Sequence, residues 1–296
     1  MGRKGEVAIR VITHEWLNIS RSDRFRLVPL GDIHIGAQAC EEDKFRAVVS
    51  EIEEDDNCYW VGLGDYCDFI NISDPRFSVA SQAPWIKLRH LGDLAAAQRD
   101  RFLDIVTPIA GKCLGLVQGN HELVIQRHYE RDIYGEIVAG VKKAADLKPD
   151  RKLGFGYAGW LVLNFYRGKT TRSAATKITI SLHHGFVGGK LKGAKALNMQ
   201  RWLWSHDCDI AIFGHSHNTD IQTEAVRQVD RAGNLGAKIK LGCYAGTFLR
   251  GVVEEASTYV EVKGYFPQPT GGVVIHLRPG AENTEDRISI QTRGLS

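Results

Sequence analysis

No apolar stretch in this chain of 296 residues approaches the roughly 18 consecutive residues that a membrane-spanning helix needs. The opening MGRKGEVAIRVITHEW has neither a continuous apolar core nor a cleavage pattern, and Glu6 breaks the myristoylation pattern. A soluble, cytoplasmic protein with no membrane partner is therefore expected. None of the six cysteines, Cys40, Cys58, Cys67, Cys113, Cys208 and Cys243, forms a CxxC pair. That argues against a disulfide framework or a Cys-rich structural metal site, and for small buried hydrophobes in a reducing compartment. Only Cys67, inside a candidate ligand loop, carries a minor expectation of a site role. A GxSxG nucleophile motif is also missing. So is an excess of charge of one sign: 38 Lys and Arg against 35 Asp and Glu leave +3, which announces neither a nucleic-acid coat nor an acidic tail. Repeats, low-complexity tracts and Pro/Gly/Ser linkers are absent too, so one domain over 1–296 is expected.

What is present is a series of short apolar runs at wide spacing: RFRLVPL (24–30), CYWVGL (58–63), CLGLVQ (113–118), KITISLH (177–183) and DIAIFG (209–214). Each has strand length and ends in a glycine-bearing loop. Helices are expected between them. EEDKFRAVVSEIEE (41–54) puts Phe45, Val48, Val49 and Ile52 on one face and acidic residues at its start, and KLKGAKALNMQRWLWSH (190–206) also reads as helix despite Gly193. This alternation predicts an α/β fold. Residues 71–110 are too long for one crossover and read as a helical insertion over an edge of the sheet. From about 218 the chain turns to strands: DIQTEAVRQV, AKIKLGC, TYVEVKG, GGVVIHL and RISIQT, with a loop near 265–271.

The chemistry sits after the five runs. They are followed by Asp32-Ile33-His34, Gly64-Asp65-Tyr66-Cys67-Asp68, Gly119-Asn120-His121-Glu122, His183-His184-Gly185 and Gly214-His215-Ser216-His217. Sites in open α/β sheets form at the carboxyl ends of strands, so these loops are expected to converge. Carboxylate, imidazole and amide oxygen are the donors a divalent cation takes. Asp32 and His34, and likewise His215 and His217, are two apart, so on an extended segment each pair points one way. A lone DxH or HxH is a weak signal, but six of the eleven histidines fall in these loops.

Taken in order, DxH, GDxxD, GNHE, HHG and GHSH resemble the calcineurin-like metallophosphoesterase superfamily, over residues 32–217. YAGTFLRG (244–251) and VKGYFPQP (262–269) are similar to its bacteriophage-type stand-alone members. The resemblance implies a four-layer α/β/β/α sandwich of two mixed β-sheets flanked by helices, the β-rich end completing the second sheet. It implies two divalent metal ions, with Mn2+ expected and Fe, Zn, Ni or Mg as alternatives. Asp32, His34 and His217 would bind the first and Asp65 would bridge. Asn120, His215 and one of His183 and His184 would bind the second. His121 would be general acid or charge stabiliser, and Asp68 and Glu122 would orient the histidines.

A bridging water or hydroxide would then attack the phosphorus of a phosphate-ester substrate in line. GDYCDFI (64–70) lacks the Asp-Arg-Gly continuation of the protein phosphatases, which favours a phosphodiesterase. The alternatives are a DNA exo- or endonuclease related to the double-strand-break-repair exonucleases, a phosphomonoesterase, and a degenerate binding scaffold. DNA is raised as a partner by a rim of basic and aromatic residues, Arg76, Lys87, Arg89, His90, Arg127, His128, Lys190, Lys192 and Arg201 with Trp85, Tyr129, Trp202 and Trp204 interleaved. Oligomeric state is not encoded in any of these motifs.

Overall fold

The computed structural model describes residues 10–173, 175–185, 191–229, 233–253, 268–281 and 284–294. The expected strand TYVEVKG, and most of VKGYFPQP, lie outside them, as does Lys190.

In chain order the elements are β1 (Arg10–Trp16), β2 (Phe25–Leu30), α1 (Glu42–Glu54), β3 (Cys58–Gly62), α2 (Leu94–Val106), β4 (Cys113–Val117), α3 (Asn120–Tyr129), α4 (Ile133–Ala144), β5 (Gly154–Gly156), β6 (Ala158–Tyr166), β7 (Ala175–His183), α5 (Lys192–Ser205), β8 (Ile210–Phe213), β9 (Ile221–Val229), β10 (Leu235–Tyr244), β11 (Gly246–Thr247), β12 (Gly271–Leu277) and β13 (Ile288–Gly294). They build two mixed sheets. The first runs β1-β6-β7-β8-β10-β9. In the second, β2, β3, β4 and β5 are parallel neighbours, and β12 joins β2, β11 and β13 antiparallel.

Side-chain parity explains the layering. Successive residues of a strand face opposite sides. Phe25 and Leu27 of β2 therefore enter the layer between the sheets, with Val61, Leu161, Ile180, Ile210 and Ile275. Val28 and Leu30 face outward, where they meet Phe45, Val48 and Ile52 of α1, Phe102 and Ile105 of α2, and Ile137 of α4. On the far face of the other sheet, Met199 and Leu203 of α5 pack on Ala211 and Phe213. The result is helix, sheet, sheet, helix. Parallel strands buried on both faces must read as unbroken apolar runs, which is why β2, β3 and β4 were visible in the sequence.

Two differences from expectation have simple causes. The insertion does not lie over a sheet edge: α2 lies on the outer sheet face, because Phe102, Ile105 and Val106 form an apolar side that the core accepts. And β6 carries no run, since Leu161, Leu163 and Phe165 alternate with outward Trp160, Val162 and Asn164.

The cysteines are free; five are buried and Cys40 is partly so. Cys67 donates its thiol to the Gln98 carbonyl at 3.4 Å, and burial holds its ionisation well above the usual thiol range. Among the described residues, no helix is long and apolar enough to cross a membrane.

Candidate metal centre

All five motif loops meet at one end of the sandwich, at the seam of the two sheets. Three overlapping groups result, each with ligand atoms within 4.8 Å of one another: Asp32, His34 and His217; Asp65, His184 and His215; and His34, Asp65 and His121. Asn120 adds its Oδ1, 2.9 Å from His184 Nε2. Asp65 is common to two groups, its Oδ2 lying 3.4 Å from His184 Nε2 and 4.0 Å from His34 Nε2.

The backbone achieves this differently from the extended geometry expected. Asp32, His34, Asp65, His215 and His217 all sit at positive φ, between 49° and 63°. Left-handed backbone costs a non-glycine residue roughly 1–2 kcal/mol. Clusters of such residues mark places where surrounding contacts override local preference. Here the contacts are explicit. Asp32 Oδ2 accepts from the His215 amide at 2.7 Å, and Asp65 Oδ1 accepts from the His121 amide at 2.9 Å. Glycines let the loops interlock: Gly64 has φ +88°, and a Cβ on it would lie 2.4 Å from the Gly119 nitrogen.

The electrostatics point to a cation. Asp32 Oδ1 and both ring nitrogens of His34 are buried without a hydrogen-bond partner. Such groups are rare and ask for a reason. His184 Nδ1 lies 2.6 Å from the Leu63 carbonyl, which can only accept, so Nδ1 carries the proton. Nε2 is then left facing Asn120 Oδ1 and Asp65 Oδ2, lone pair against lone pair. Burial opposes a charged His184, yet the Asp65 and Asp32 carboxylates push it up to about 10. A proton thus substitutes for positive charge that the cluster requires. Asp65, despite its burial, is held well below the usual carboxylate range by His184 and His121. The donor set, two carboxylates, histidines and one amide oxygen, fits two divalent cations.

Strand parity separates the two adjacent histidines. Leu182 points into the inter-sheet layer, so His184 follows it inward and His183 points out. There its ring meets Trp202 and Phe213, its Nδ1 accepts from the Gly185 amide at 2.8 Å, and burial with the charge of His184 lowers it to about 4. Replacing His184 with alanine is expected to remove one of two bound metals per chain, while His183→Ala keeps both and only lowers Tm. Metal analysis of the two purified variants checks this, and equal metal loss in both would refute it.

Asp68 lies beside both histidines: its Oδ1 is 3.6 Å from His34 Nδ1, and its carbonyl accepts from His121 Nδ1. Glu122 is placed differently. It holds no histidine; its two oxygens accept from the amides of Gly119, Asp65 and Tyr66 at 2.7, 3.0 and 2.9 Å, fixing the backbone of two loops. Burial, together with the Asp65 charge, pushes its carboxyl up to about 7. Thr247 was missed. Fully buried in YAGTFLRG, it donates to the Asp32 carbonyl at 2.9 Å and accepts from the Leu249 amide at 3.0 Å; a hydroxyl inside an apolar run was its only signal. The aromatic rim is thinner than expected. Trp85 and Trp202 pack into hydrophobic clusters, under Arg101 and against His206 respectively, and Arg76 is paired with Asp74.

Comparison with known proteins agrees with this centre. The profile of the calcineurin-like phosphoesterases matches residues 25–219. No curated protein matches the chain. Similar solved structures include Vps29 of Entamoeba histolytica complexed with zinc (10% identity, 92% of this chain and 100% of that one, TM-score 0.36). They also include a metallophosphoesterase of Sphaerobacter thermophilus (10%, 90% and 88%, TM-score 0.37) and the calcineurin-like phosphoesterase YfkN of Bacillus subtilis (9%, 92% and 91%, TM-score 0.34). At these identities and scores the assignment rests on the profile and not on the likenesses. With two thirds of its length matched and every motif loop inside the match, the chain belongs to the calcineurin-like phosphoesterase family and is a metal-dependent phosphoester hydrolase.

Proposed function

We propose that the protein is a phosphodiesterase working with two divalent cations, Mn2+ being the expected ion. Asp32, His34 and His217 would hold one; His184, His215 and Asn120 would hold the other; and Asp65 would reach both. The observation that carries this reading is the set of overlapping donor groups with buried, unpartnered lone pairs. When bound, the cations supply Lewis acidity to the phosphoryl oxygens and acidify water at the site.

The chain's own residues do the rest. His121 is partly exposed at the edge of the cluster, its ring 4.7 Å from that of His34. Its Nδ1–H donates to the Asp68 carbonyl. Burial disfavours its charged form, but Asp65 and Asp68 outweigh this and raise its proton affinity. When its Nε2 is also protonated, His121 can neutralise, or protonate, the oxygen that departs from phosphorus.

Diester preference follows from charge. A monoester dianion asks for one more cationic partner than a diester monoanion. Where the phosphoprotein phosphatases carry arginine after the second Asp of GDxxD, this chain has Phe69, which is buried. The test is hydrolysis of bis-p-nitrophenyl phosphate and p-nitrophenyl phosphate after chelation and Mn2+ replacement. Activity is expected to vanish on chelation and return with Mn2+, with the diester favoured at least tenfold in kcat/KM, about 1.4 kcal/mol of transition-state discrimination. Undiminished hydrolysis in chelated protein, or preference for the monoester, would overturn the reading.

A further inference from the structure

Gln98 belongs to α2 in the 71–110 insertion, outside every motif, and is completely buried. Its side chain lies against Gly36, whose φ is +103°; a Cβ there would come within 2.3 Å of Gln98 Nε2. Its Oε1 accepts from the Phe69 amide at 2.7 Å. The orientation of this amide group is fixed, because an N–H needs an acceptor and only Oε1 supplies one. Nε2 is left buried with no partner. An apolar side chain of similar size would avoid that unsatisfied donor but leave the buried Phe69 amide without an acceptor, so filling space alone does not account for glutamine here.

The peptide it grips does account for it. The amide of Phe69 and the carbonyl of Asp68 belong to one peptide unit. That carbonyl accepts from His121 Nδ1. A single line of hydrogen bonds therefore runs from His121 Nδ1–H to the Asp68 carbonyl, through the peptide, to Gln98 Oε1. Hydrogen bonds in such a chain polarise one another. Phe69 itself sits at φ +50°, in the left-handed region that a β-strand or helix would not hold. Gln98 thus fixes the plane of the peptide that selects the His121 tautomer.

We infer that Gln98 is a positioning residue for His121: by gripping the Asp68–Phe69 peptide it holds the ring through its Nδ1–H and aims Nε2, the nitrogen that would give up the acid proton, at the substrate. The inference rests on the proposed role of His121, and its test is built so that the two can fail separately. Gln98→Leu removes the acceptor and leaves the Phe69 amide unpaired; Gln98→Glu keeps the acceptor. The first readout is the tautomer of neutral His121 in metal-free protein, at a pH above its titration, read from long-range imidazole 15N correlations and assigned with His121→Asn. Wild type is expected to hold the Nδ1–H form, Gln98→Leu a mixture, and Gln98→Glu the wild-type pattern. The second readout is diester hydrolysis with Mn2+. Gln98→Leu is expected to lose about tenfold in kcat, with KM and metal content near wild type and a lowered Tm from the unpaired Phe69 amide, and Gln98→Glu to recover most of the rate. If Gln98→Leu leaves both the tautomer and kcat unchanged, or if both variants lose fold and metal together, Gln98 is packing alone. If wild type hydrolyses no diester while the tautomer still shifts in Gln98→Leu, the phosphodiesterase reading falls and the positioning role stands.

Discussion

Changing Asp65 to asparagine is expected to cost on the order of 10^3-fold in kcat/KM on a diester, roughly 4 kcal/mol of transition-state stabilisation, and to take bound metal from two ions per chain to one or fewer. The reason is geometric. Asp65 Oδ2 lies 4.0 Å from His34 Nε2 and 3.4 Å from His184 Nε2, buried between them. Asparagine keeps the size and one oxygen, so the hydrogen bond from the His121 amide survives and the fold with it. What disappears is the negative charge that offsets two cations, and the second oxygen that lets one side chain serve both. His121→Ala is the informative comparison: it should lose turnover while retaining both metals. An Asp65→Asn protein with two ions bound and near-normal turnover would remove the basis for a shared ligand.

Gly119→Ala should be nearly as damaging without touching a donor atom. The Gly119 backbone is not strained, with φ −92°, so conformational freedom is not the issue. Space is: an added Cβ would lie 2.2 Å from both the nitrogen and Oδ1 of Asp65, and 2.5 Å from Glu122 Oε2. Relief means moving the Asp65 loop away from the Asn120 loop and breaking the clamp that Glu122 places on both. A loss of about 2–4 kcal/mol in stability is expected, within the range for overpacked buried sites. The metal stoichiometry should fall with it. Gly193→Ala is the control. Its Cβ would meet nothing within 4 Å, and it lies within α5, so a gain of about 0.5–1 kcal/mol is expected. Differential scanning calorimetry with metal analysis on the pair decides it. Equal Tm and metal content in the two variants would show that the loops are not interlocked.

The motif loops were legible because catalysis demands chemically unusual residues at strand ends, where an apolar core would place none. The parallel strands before them were legible because burial on both faces leaves no alternation to blur. The placement of His183 and His184 on opposite faces was also written in the chain, though less loudly: Ile178, Ile180 and Leu182 share one face of β7, and the same parity continues to His184. Other features were not legible. Left-handed backbone at Asp32, His34, His215 and His217 depends on contacts from distant loops, not on local preference. Glu122 looked like a partner for histidines because GNHE places it beside them; its turn of helix α3 instead aims it at backbone amides. Gln98 and Thr247 sit in segments whose residue types announce packing, and only the folded topology brings them to the centre. The weakly patterned β1 and β6 show only alternation, and a half-exposed strand reads much like a loop when its outward residues are mixed.

Each of the two main donor groups takes members from both sheets. Asp32, His34 and Asp65 follow strands of one; His184, His215 and His217 follow strands of the other. Neither sheet alone owns a complete set of ligands. A chain whose sheets have formed but not yet docked would therefore be chemically silent, and hydrolytic competence would arrive only with the final closure of the sandwich. The same arrangement would let each captured ion act as a rivet across the seam, so that what the chemistry needs would also fasten the two sheets together.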